Sequence, residues 1–219
     1  PKLFRKLIEE STDIFNTSQL QNLLKKVDKL VREDEQNRFK FQLKNYLLGE
    51  RNPDIFTGYK IPRLEKLSEM VFYFAKMLQP GTTVLNKLLF YSDFLNFKQT
   101  AYSISGSRYR AIDYGPVPVK YDSIFEHISE NNLIQIVHVE YGRGFVGKEF
   151  RPTPGREFNA DLFSPIELQS METVVSFFKG KSRKEIVNFS HKEKAWEINF
   201  KNGKDLIPYD YGFYLNDIH

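Results

Sequence analysis

Cysteine is absent from this 219-residue chain. That removes disulfides, thiolate metal sites and a thiol nucleophile from consideration, and it fits a reducing compartment. Four histidines remain, but His127, His138, His191 and His219 share no ligand spacing on a common element, so no metal is expected. No apolar run nears the roughly 18 residues that cross a bilayer, and the opening Pro1-Lys2-Leu3-Phe4 lacks the apolar core of a signal peptide. The expectation is a cytoplasmic protein without membrane contact. Glycines are scattered, and Gly142-Arg143-Gly144 separates two strand-like runs, so no phosphate cradle between strand and helix is visible and no cofactor is expected. No spacing singles out a carboxylate pair among the 28 acidic residues. Ser190 and His191 are neighbours, but adjacent side chains at a helix start point apart. No catalytic residue can be named, and the chain reads as something other than an enzyme.

What is present is apolar and aromatic. A hydrophobic fraction of 41%, with 20 Phe and 12 Tyr, lets the chain fold where a disordered sequence would not. The net charge of +4 comes from interleaved charges of both signs, which permits nucleic-acid contact without requiring it. The chain opens on proline with a helical pattern already under way by Leu3, so it is expected to be a piece of a longer protein.

Along the chain, Leu3, Leu7 and Ile8 suggest the end of one helix. Leu20, Leu23, Leu24, Val27, Leu30 and Val31 define an amphipathic helix over residues 18–36, whose stripe packs on its own domain or pairs with a second copy in a homodimer. Residues 38–48 give a second short helix. Gly49, Pro53, Gly58 and Pro62 break the pattern and mark the main boundary. Helical spacing returns over 63–78, Pro80-Gly81 stops it, and Thr83 is positioned to cap a partner helix running to about Thr100. Residues 102–118 look irregular, 119–131 helical. Alternating runs over 133–141 and 145–151 predict a β-hairpin, the one convincing sheet. Ser164-Pro165-Ile166-Glu167 is a complete helix start, and Ser182/Glu185 and Ser190/Glu193 repeat its serine–glutamate spacing. A last helical turn covers 209–215. The predicted fold is α+β and predominantly α, with a helical hairpin, short helices and one β-hairpin that gives a winged-helix-like element.

A helix followed by a basic hairpin outlines a winged helix, and Lys179-Gly180-Lys181-Ser182-Arg183-Lys184 is the densest basic cluster. A nucleic-acid-binding regulator is therefore the alternative functional reading. The aromatic density between Phe90 and Phe125 points elsewhere. Most of these rings must be core, but tyrosine is also favoured at protein interfaces, where its ring buries area and its hydroxyl tolerates a wet rim.

The blocks Leu85–Phe94 (LNKLLFYSDF), Ser105-Gly106-Ser107-Arg108-Tyr109, Tyr114-Gly115-Pro116-Val117-Pro118 and Ser190–Trp196 (SHKEKAW) occur in an order and spacing that resemble the SocA-like antitoxin family, also called the Panacea domain. The resemblance covers about Arg63 to Leu215. It implies an antitoxin of a type II toxin–antitoxin system, whose domain neutralises a cognate protein toxin by direct binding. Residues 1–55 then form a helical connector and 56–219 the Panacea domain. The connector resembles the segment that in some members follows a helix-turn-helix domain, so DNA contact and transcriptional autoregulation would belong to a domain before Pro1. Two departures are Ala101, where many relatives carry glycine, and Ser107, where an acidic residue is common.

The expected partner-binding residues are Arg108, Tyr109, Arg110, Tyr114, Pro116, Val117, His191 and Trp196. Proline fixes φ and glycine allows a tight bend, so residues 108–118 form a stiff loop. Either it presents side chains to a partner or it buttresses the helical hairpin. Trp196 is divided in the same way between a partner and the core.

Overall fold

The computed structural model describes residues 6, 17–49, 52–140, 144 and 146–218. The chain forms two units, Pro1–Tyr46 and Leu47–His219. The helix expected over the first ten residues lies outside the described residues, apart from Lys6. The two helices expected over 18–36 and 38–48 are one continuous helix, α1 (Thr17–Leu48), since the sequence between them holds no glycine or proline to interrupt it. Leu30, Phe39, Phe41 and Tyr46 of α1 are exposed.

The second unit is built around a buried helix. Helix α2 (Leu64–Leu78) buries Leu67, Met70, Val71, Phe74 and Ala75 and ends at Gln79, which takes the left-handed conformation and donates its N–H to the Ala75 carbonyl. Pro80 follows. Helix α3 (Thr82–Thr100) is buried at every position from Leu85 to Phe97, so it lacks the polar face of a surface helix. Its rings make the centre of the core. Phe90 and Phe94 have centroids 4.2 Å apart, and Phe94 stacks on Tyr209 at 4.4 Å. Each such side chain, taken from water, contributes about 1.5–3 kcal/mol before conformational entropy is set against it. Thr83 does not cap α3; the capping position is Gly81, which offers no side chain.

Residues 102–118, read as irregular, contain two strands, β1 (Tyr109–Ile112) and β2 (Gly115–Pro118). With β5 (Leu206–Ile207) they make a three-stranded antiparallel sheet in the order β2-β1-β5. The two prolines concealed β2, because proline donates nothing to a ladder. They are tolerated because β2 is an edge strand. Pro116 faces Ala111 and Pro118 faces Tyr109, and the Ala111 N–H turns away to the Asp205 carbonyl, so neither proline is asked for a donor.

Helix α4 (Tyr121–Glu130) leads into the expected hairpin, strands β3 (Ile134–Glu140) and β4 (Val146–Pro152), paired from Ile134↔Pro152 to Glu140↔Val146. The Phe150 N–H donates to the Pro80 carbonyl, which ties β4 to the bend between α2 and α3. Helices α5 (Pro165–Phe178) and α6 (Arg183–Ser190) open on full capping boxes, Ser164 with Glu167 and Ser182 with Glu185. The third serine–glutamate pair does not cap. Ser190 is the last residue of α6, its hydroxyl donating to the Val187 carbonyl, and Glu193 occupies the capping position of α7 (Lys194–Lys201). The closing turn over Tyr209–Tyr214 is a 3-10 helix. The fold class is α+β and predominantly α.

Candidate functional site

A buried helix that carries polar residues must find partners for them. In α3 those partners are the loop and turn that follow it. The Asp93 carboxylate, fully buried, accepts from the Ile104 and Ser105 N–H groups at 2.7 and 2.8 Å, from the Ser105 hydroxyl at 2.6 Å and from the Tyr109 hydroxyl at 2.7 Å. Burial raises its pKa, and these four donors work in the opposite direction. The Tyr209 hydroxyl donates to the Ser107 carbonyl at 2.7 Å, and Asn96 holds the Tyr102 carbonyl at 2.7 Å. Residues 102–109 are thus anchored from below along their length.

Lys87, one and a half turns before Asp93, is also fully buried and donates to the Pro116 carbonyl at 3.0 Å. Burial, reinforced by the Arg183 charge, lowers its pKa to about 7. Its neighbour in the turn is Gly115, at φ +100°. A Cβ there would collide with the Lys87 side chain and the Ser190 hydroxyl, so glycine is required on grounds of both space and conformation.

The tip of the β1–β2 turn, Asp113-Tyr114, is held from the other side by the segment around α7. The Trp196 indole N–H donates to the Ile112 carbonyl at 2.8 Å, and the His191 ring stacks on Trp196 with centroids 3.9 Å apart and planes within 9°. Burial and the Lys87 charge hold the His191 imidazole below its usual pKa, while the hydrogen bond its ring donates to the Asp113 backbone carbonyl opposes them. Phe200 continues the stack at 4.6 Å. Above this support Tyr114 stands 59% exposed, with the Arg183 guanidinium 5.5 Å from its ring centroid. The result is a protruding aromatic side chain on a turn fixed at three backbone positions, Ile112, Asp113 and Pro116.

The eight residues expected at a partner surface therefore separate. Tyr109 is buried with its hydroxyl on Asp93, so it cannot contact a partner; it belongs to the core. Val117 and Pro116 are also buried, Pro116 acting through its carbonyl. Arg108 is spent on an ion pair with Asp54 at 2.6 Å, where its side chain is only 12% exposed. His191 and Trp196 are half-buried and form the underside of the turn. Arg110 and Tyr114 are exposed. Lys87, Asp93 and Arg183 were not picked out from the sequence. For the first two a signal existed, a charge inside a run whose every turn is apolar; for Arg183 there was only its membership of a basic cluster.

Among the described residues no group of three or more metal-ligating side chains occurs, and no helix is long and apolar enough to cross a membrane. A family model described as "Antitoxin SocA-like, Panacea domain" matches residues 85–197, a little over half of the chain. The match begins at the first buried residue of α3 and ends just past Trp196, so it encloses Lys87, Asp93, the anchored loop, the β1–β2 turn and its support. No curated protein and no solved structure matches the chain.

Proposed function

The chain belongs to the SocA-like antitoxin, or Panacea domain, family, and from that premise we propose that it neutralises a cognate protein toxin by direct binding through the β1–β2 turn. The observation that carries this reading is Tyr114, a large exposed aromatic ring on a backbone that Lys87, Trp196 and His191 hold still. A preformed turn loses little entropy on binding, and tyrosine is a favoured anchor at protein interfaces because few rotamers must be frozen. The buried members of the signature have the complementary role of fixing the turn. Loop residues on a rigid support are where binding function is commonly placed.

In this account residues 56–219 are the neutralising domain and residues 1–55 a connector. Promoter binding and autoregulation belong to a helix-turn-helix domain preceding the connector, and the domain itself has no catalytic step to perform. The test is co-expression of the chain with the product of the adjacent gene. Growth rescue together with co-purification of a stable complex is the expected result. Toxicity without any complex at micromolar concentration would overturn the reading and turn attention to a nucleic-acid partner for the basic hairpin.

A further inference from the structure

Arg183 reaches two features at once. Besides lying over Tyr114, it lines, together with Lys148 of β4, a cleft of about 420 Å³ at the start of α3. Val84, Thr82 and Thr83 line the same, mostly apolar cleft, and the described lining contains no carboxylate. Nearby acids are committed elsewhere. Glu149 accepts from Arg151 at 2.7 Å, and Glu185 accepts from the Ser182 N–H and hydroxyl at 2.7 and 2.6 Å. Lys148 meets Glu126 only across an exposed 3.8 Å pair, which holds it weakly. Among the described residues no carboxylate pairs with Arg183. The Arg183 charge is also felt at buried Lys87, where it opposes protonation.

Like charges that carboxylates compensate only weakly or not at all, set around an apolar recess, focus a positive field into it. A carboxylate is the complementary group, because a guanidinium can take it in a two-pronged hydrogen bond and an ammonium can take it as a point charge. A nucleic-acid backbone is tracked by a row of exposed cations. Here two cations flank an apolar-walled recess beside an exposed tyrosine, an arrangement that suits an acidic side chain carried between apolar neighbours.

We propose that this cleft is the docking slot for an acidic segment of the protein partner, with an Asp or Glu carboxylate between Lys148 and Arg183 and adjoining side chains over Val84 and Tyr114. This rests on the reading that the domain binds a protein. It adds the chemistry of the contact, which that reading does not specify.

Two measurements separate the slot from the function. In the first, the isotopically labelled chain is titrated with a short polyglutamate peptide and, in parallel, with a short DNA duplex. Millimolar peptide is expected to move the backbone resonances of Val84 and Gly147. The shifts should vanish in the double reversal Lys148→Glu/Arg183→Glu and persist in Lys201→Glu, which lies outside the cleft lining. Absence of shifts, or shifts that survive the double reversal, would overturn the slot. Stronger binding of the duplex through the same residues would overturn the choice of a protein segment. In the second, Kd is measured for the complex with the neighbouring gene's product. The double reversal is expected to raise it at least about tenfold and to flatten its salt dependence. An unchanged Kd would remove the slot and leave toxin binding standing. Failure of the wild-type chain to form any complex would instead refute the toxin reading, and the peptide titration would still decide the slot.

Discussion

The hydroxyl of Tyr109 donates to Oδ2 of Asp93 across 2.7 Å, inside the core, joining two residues 16 apart in the chain. This bond connects the helix α3 block of the family signature to the strand β1 block, and three more donors from residues 104 and 105 complete the carboxylate's shell. Removing one donor leaves a buried carboxylate short of a partner. Tyr109→Phe is expected to lower stability by about 1–3 kcal/mol, read from denaturant unfolding. Asp93→Asn places an amide against N–H donors and should cost more than Tyr109→Phe. A smaller loss at Asp93 would contradict the assignment of the carboxylate as the hub.

Lys66 and Glu167 form a buried ion pair, Nζ lying 2.7 Å from both carboxylate oxygens, while Glu167 also closes the capping box of α5. Breaking such a pair strands a charge. Lys66→Met is expected to cost roughly 3–5 kcal/mol. Adding Glu167→Gln, which keeps an acceptor for the Ser164 N–H, should restore much of the loss, since the remaining partner is then uncharged. Additive losses in this double-mutant cycle would show that the two residues act independently.

Lys87 and Glu193 give the fold an opposed pair of pH responses. Burial lowers Lys87 from 10.5 to about 7. Between those values the unfolded chain holds a proton that the folded chain lacks, so the Lys87 contribution to stability rises with pH above about 7 and is lost as pH falls through it. Burial raises Glu193 from 4.5 to about 7, against hydrogen bonds from Asn216 and Tyr91. There the folded chain holds the extra proton, so the contribution is present below 4.5 and is lost as pH climbs to about 7. Unfolding measured across this range should show Lys87→Met flattening the alkaline rise and Glu193→Gln flattening the acidic fall. The opposite assignment of the two limbs would contradict the burial argument.

Ala101 ends α3 in the left-handed conformation, at φ 61°, with its N–H on the Phe97 carbonyl. That is the physical reason glycine is expected at this position, because a Cβ is strained there. Ala101→Gly should stabilise the domain by about 1 kcal/mol, seen as a raised Tm; a lowered Tm would mean that the cap is not strained.

Periodicity and capping made much of the fold legible. The α2–α3 hairpin, the β3–β4 hairpin and the capping boxes at Ser164 and Ser182 rest on local signals within a few residues. What escaped depends on contacts far apart in sequence. Strand β2 was hidden by Pro116 and Pro118, whose compatibility with a sheet is decided by which side of the ladder they face, and that depends on β5 some ninety residues later. Tyr109 and Tyr114 are equally aromatic in the sequence. Only the position of Asp93 sends one into the core and leaves the other outside. The same holds for Arg108 and Arg183: Asp54 engages the first, while the second keeps its charge for Tyr114 and the cleft.

The most direct measurement is the affinity of the purified chain for its neighbouring gene's toxin, compared between wild type and Tyr114→Ala, with the fold of the variant verified by its melting curve. If the β1–β2 turn is the binding face, truncating its exposed ring should weaken the complex by about 2 kcal/mol or more, roughly thirtyfold in Kd, with Tm unchanged. An unaltered Kd in a folded Tyr114→Ala variant would contradict the account and move the binding surface away from the turn.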